Sequence, residues 1–124
     1  MAKGRLQKST SVNLAPLSGP VYHAMVLDTG QGFKVRPASA AVNGQVNPFF
    51  RIRNHTEYLA TVIMPSAIVE PNNLYTDVPR GAVVEIPLHG GGYFTYAVVL
   101  HTPGGIVTAQ GESDPVIIID PPAN

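Results

Sequence analysis

The chain is 124 residues long, enough for one domain with its own core, and it has no Cys, which excludes disulfides, thiolate metal sites and a cysteine nucleophile. Charged residues make up 13% of it, about half the usual share, and 8 basic side chains balance 8 acidic ones. Zero net charge argues against a generally basic nucleic-acid binder, and an apolar content of 44% argues against a disordered chain.

The charge is unevenly placed. Residues 1–20 hold Lys3, Arg5 and Lys8 and no acid, a local charge of +3, and they also contain Pro16, Gly19 and Pro20. This predicts an extended basic arm over 1–20, either frayed or docked as an added strand, and one folded body over 21–124. Ser9-Thr10-Ser11 follows the first charges where a signal peptide would carry an apolar run. No stretch approaches a membrane span, so the expectation is a soluble cytoplasmic protein with no membrane and no nucleic-acid partner. The sequon Asn54-His55-Thr56 is expected to be fortuitous.

Along the body, Pro and Gly recur at short intervals, and Val, Ile, Thr, Tyr and Phe fill the gaps. Prolines remove ladder donors, so only short strands fit between them. Strands are predicted near 21–28, 32–36, 48–54, 58–64, 74–78, 82–89, 93–101, 105–109 and 115–120, with one helical turn over 66–70. Period-two alternation turns Phe50 and Ile52 inward, then Ala82, Val84, Ile86 and Leu88, then Phe94, Tyr96, Val98 and Leu100. Gly90-Gly91-Gly92 is expected to close a hairpin between 82–89 and 93–101. Val116-Ile117-Ile118-Ile119 is apolar on both faces, which requires a central or covered strand, stopped by Asp120-Pro121-Pro122.

Signals for chemistry are sparse. His23, His55, His89 and His101 form no local ligand pair. The predicted hairpin puts His89 and His101 roughly 25 Å apart, leaving His55 with His101 as the metal alternative. Ser113 lies in Gly111-Glu112-Ser113-Asp114-Pro115, which reads as a turn and not as a nucleophile elbow, and Glu112 and Asp114 are a weak basis for a calcium site. Gly30-Gln31-Gly32 lacks the rest of a dinucleotide fingerprint. No nucleophile–base pair or carboxylate dyad is set by spacing, so no enzymatic activity and no cofactor are expected.

The stretch Gly92-Tyr93-Phe94-Thr95-Tyr96-Ala97-Val98-Val99-Leu100-His101 resembles the last hairpin of the cupredoxin family. In that resemblance Val98 stands near the copper-binding Cys, His101 near the His that follows it, Ile106 near the Met and His55 near the upstream His. The missing thiolate rules out a blue copper site. The resemblance implies an all-β, Greek-key β-sandwich of about 7–9 short antiparallel strands, cupredoxin-like or immunoglobulin-like.

From Ile86 to Gly111 there is no Asp, Glu, Lys or Arg, a run of 26 residues. An exposed sheet face normally alternates with charge. Tyr93, Thr95, Ala97, Val99 and His101 are therefore expected to form an interface, with another protein subunit, most simply a second copy of the chain, as partner.

Overall fold

Short runs of β-branched and aromatic residues cut by Pro and Gly fold into strands, as their propensities require. The computed structural model describes residues 22–109 and 114–123. Eleven strands follow one another: β1 (Ala24–Asp28), β2 (Phe33–Arg36), β3 (Ser39–Val42), β4 (Phe49–Asn54), β5 (Leu59–Ile63), β6 (Tyr75–Val78), β7 (Val83–Pro87), β8 (Gly90–Thr95), β9 (Ala97–Thr102), β10 (Gly105–Thr108) and β11 (Val116–Ala123). A single turn of 3-10 helix, Pro71–Asn73, is the only helical element among the described residues. None of it is long or apolar enough to cross a membrane as a helix.

The strands make three sheets, ordered β2-β1-β4-β7, β10-β9-β5-β6 and β3-β11-β8. β1 runs parallel to β4, and β3 parallel to β11; all other pairings are antiparallel. The chain alternates between sheets: β4 and β7 are neighbours in one, while the intervening β5 and β6 are neighbours in another. Inner faces of all three sheets feed one apolar cluster. Val26, Phe50, Ile52 and Ile86 come from the first, Val62, Val78, Val98 and Leu100 from the second, and Val42, Ile117 and Ile119 from the third. Phe50 sits at the middle of an aromatic run, edge-on to Tyr96 at 5.1 Å and stacked on His23 at 6.2 Å.

The expected inward residues Phe50, Ile52, Val84, Ile86, Leu88, Tyr96, Val98 and Leu100 are buried. β11 is the central strand of its sheet, as its two apolar faces require. Four expectations are corrected. The hairpin between 82–89 and 93–101 does not form: β7 pairs with β4, and Gly90–Gly92 belongs to β8, which pairs with β11. Glycine serves close packing there. A Cβ on Gly91 would lie 2.5 Å from the Pro122 Cβ, and one on Gly44 would fall on the backbone of Pro122 and Ala123. The 25 Å separation of His89 and His101 falls with that hairpin. The single strand 93–101 is two strands in two sheets, broken at buried Tyr96, whose N–H donates to the Pro115 carbonyl at 3.0 Å. β3 was not foreseen, since Ser39-Ala40-Ala41-Val42 has little strand propensity of its own. β11 runs on through Pro121 and Pro122 to Ala123, with its register shifted after Ile119. The arm 1–20, Glu112 and Ser113 lie outside the described residues.

Candidate interface and the histidine sites

Register decides which side chains share the exterior of the β10-β9-β5-β6 sheet. Directly opposed residues lie on one face. Leu100 opposes Ala60 and Ala60 opposes Val78, all three buried, so the intervening residues face outward. That outer set is Ile106 and Thr108 on β10, Ala97, Val99 and His101 on β9, Leu59, Thr61 and Ile63 on β5, and Tyr75 and Asp77 on β6. Ile106 and Tyr75 are each 68% exposed and Leu59 38%. Asp77 and His101 are its only titratable groups besides the Tyr75 phenol.

Those two groups are tied together. The Thr61 hydroxyl donates to Asp77 Oδ1 at 2.7 Å and lies 2.8 Å from His101 Nε2. A carboxylate only accepts, so the Thr61 proton points to Asp77, and the Thr61 oxygen accepts from a His101 ring protonated on Nε2. The chain of bonds staples β6, β5 and β9 across the surface. In this arrangement the hydroxyl proton goes to the carboxylate, whereas an activated nucleophile gives its proton to the imidazole.

The exterior of the β2-β1-β4-β7 sheet is the reverse. Met25 opposes Arg36 and Arg53, Leu27 opposes Lys34, and Arg51 opposes Glu85. Lys34, Arg36, Arg51 and Arg53 therefore share one face with a single acid, Glu85, which is ion-paired to Arg51. The charge missing from one sheet is concentrated on the other.

The residues singled out in the sequence are distributed over this frame as follows. Ala97, Val99 and His101 lie together on the charge-poor exterior, whereas Tyr93 and Thr95 belong to β8 and face outward from the three-stranded sheet beside Ile118 and Val116. His55 follows β4 in an open hollow with Arg53, Glu57 and Arg80. His101 is the register partner of Leu59, just past that connection, but its Nε2 is engaged by Thr61. No group of three or more metal-ligating side chains exists among the described residues. His89 approaches Glu70 at 3.4 Å. His23 is structural. Its N–H donates to the Arg51 carbonyl at 2.8 Å, and its Nδ1 accepts from the Arg51 N–H at 3.1 Å. Burial, and then the Arg51 charge, hold its pKa below 6.5.

Asn54 is fully buried at the end of β4 and was missed as a structural centre. Its Nδ2 donates to the carbonyls of Tyr58 and Val78 at 2.7 and 2.9 Å, and its Oδ1 accepts from the N–H and hydroxyl of Thr56 at 2.8 and 2.7 Å. An amide so enclosed is no glycan acceptor, because that modification needs a surface Asn. Thr56 two residues on was the available signal, since Asx and Thr side chains bond backbone at that spacing.

No protein-family model matches the chain, and no curated protein and no solved structure matches it.

Proposed function

We propose that this protein is a non-catalytic, Greek-key β-sandwich, cupredoxin-like or immunoglobulin-like, that works by protein contact, as a subunit of a homo-oligomer or larger assembly. The observation that carries this is the charge-poor outer face of β10-β9-β5-β6, where Asp77 at one edge is the only carboxylate and Leu59, His101 and Ile106 form an uncharged row across three strands. A solvent-facing antiparallel sheet ordinarily alternates apolar-in with polar-out. Here Leu59, Ile63, Ala97, Val99, Ile106 and Tyr75 all face outward, in the manner of an interface centre depleted of charge and bearing an aromatic. Four cations on the other sheet show that charge is placed selectively in this chain.

The Greek-key assignment draws support from the strand order, in which β4 and β7 flank one another while β5 and β6 pair in a different sheet. The non-catalytic assignment draws support from the Asp77–Thr61–His101 chain, where the hydroxyl occupies the middle.

The test is Leu59→Lys combined with Ile106→Lys, two exposed positions whose replacement leaves the core intact. Light scattering after size exclusion should give a multiple of 13.1 kDa for the natural chain. The variant should give a monomer with an unchanged far-UV spectrum. A natural chain that is monomeric at every concentration removes the proposal.

A further inference from the structure

The self-association proposed above leaves open which backbone edge meets the partner. β10 differs from every other strand among the described residues in having all four of its residues exposed, although two of them are Ile and Val. It is an edge strand, and edges are normally blunted by charge or proline. Of the other edges in the two four-stranded sheets, β2 carries Lys34 and Arg36, β7 carries Glu85 and Pro87, and β6 carries Asp77 with Pro79 following. β10, Gly105-Ile106-Val107-Thr108, carries neither. In the three-stranded sheet the edges are also uncharged, but β3 buries alternate residues and β8 packs Gly91 on Pro122.

The ladder fixes what β10 offers. The Ala109 N–H donates to the Val98 carbonyl at 2.8 Å, so residue 109, and by alternation 107 and 105, direct their backbone groups to β9. Ile106 and Thr108 therefore direct their N–H and C=O groups away from β9, toward an edge that pairs with no other strand among the described residues. We infer that β10 pairs with β10 of a second copy of this chain, antiparallel about a two-fold axis through Val107. Only even offsets keep outer face with outer face. Centring on Val107 opposes each Ile106 to the partner's Thr108 and uses all eight free groups in four hydrogen bonds. Centring on Ile106 uses only its own pair of bonds within the strands. A neutral strand suits a second copy in particular, since a charged edge would meet its own like charge across the axis. The two charge-poor exteriors then continue into one eight-stranded surface, with Asp77 at its two far edges.

Because the chain has no Cys, single-cysteine variants report the register directly. Val107 would face its copy as a non-hydrogen-bonded pair, with Cα atoms about 4.5 Å apart. Ile106 would be diagonal to its copy at about 7–8 Å, beyond disulfide reach. Full-length Val107→Cys should therefore give a disulfide-linked dimer under mild oxidation, while Ile106→Cys and Tyr75→Cys should not. Thr108→Pro, which removes one outward N–H and leaves the β9 ladder intact, should abolish association of the natural chain. Crosslinking at Ile106→Cys instead, or equally at all three, or at none, overturns the inference. A natural chain that associates without crosslinking at Val107→Cys overturns this edge and leaves the proposed function standing. A natural chain that never associates removes both.

Discussion

At Asn54 the fold commits one buried amide to four hydrogen bonds that join β4, the β4–β5 connection and β6. Removing it takes one donor each from the Val78 and Tyr58 carbonyls, the latter keeping the Thr56 hydroxyl, and leaves the Thr56 N–H without its acceptor, at a desolvation cost. Asn54→Ala should therefore lower stability by about 3 kcal/mol, read as a reduced urea midpoint with an unchanged slope. Tyr96 is the opposite case. Its hydroxyl is buried with no hydrogen-bond partner among the described residues, and burial pushes its phenol above the usual value. Tyr96→Phe should raise stability by about 1 kcal/mol. It should also blunt the loss of stability above about pH 10, where the unfolded phenol ionises and the folded one does not. His23 works at lower pH. With its pKa held below 6.5, the unfolded chain binds the proton first, so stability should fall as pH drops from 7.5 to 5.5. His23→Gln should flatten that dependence in urea titrations at the two pH values. Only the Asn54–Thr56 spacing was readable locally; Val78 comes to Asn54 from β6, Tyr96 packs on Phe50 from another sheet, and His23 gains its place by lying beside Arg51, 28 residues away.

At the scale of elements, Gly91 of β8 and Gly44 make room for the tail of β11, and Gly90–Gly92 do not close a turn. Gly44→Ala and Gly91→Ala should each cost about 2 kcal/mol, because the added methyl meets Pro122 or Ala123. Gly104→Ala is the control. Its Cβ would meet nothing closer than 3.9 Å, so it should be neutral or slightly stabilising in thermal melts. The all-β class and the inward set from Phe94 to Leu100 were legible because side-chain period two survives any choice of strand partner. The break at Tyr96 was not legible for the same reason. Even-numbered residues point inward on both β8 and β9, so alternation passes through the change of sheet without a fault. β3 was hidden because Ser39–Val42 becomes a strand by parallel pairing with β11, far away in sequence.

Across the whole molecule, the low charge content resolves into two unlike exteriors. One sheet presents Lys34, Arg36, Arg51 and Arg53, and the other presents apolar residues around the Asp77–Thr61–His101 staple. The charge-free run from Ile86 to Gly111 foreshadowed this, but only in part. Ala97, Val99 and His101 reached the charge-poor face, Tyr93 and Thr95 went to another sheet, and Leu59, Ile63 and Tyr75 joined from segments with no charge gap. Contact through such a face is apolar in origin. Raising the salt from about 0.1 to 0.5 M, which shortens the screening length, should leave association unchanged or strengthen it. Association carried by the cationic sheet would weaken over that range. The most direct test of protein contact as the working mode is sedimentation equilibrium of the full-length chain over a hundredfold range of concentration. A reversible dimer or larger multiple of 13.1 kDa is expected, dissociating to monomer on dilution. A single 13.1 kDa species throughout would contradict it.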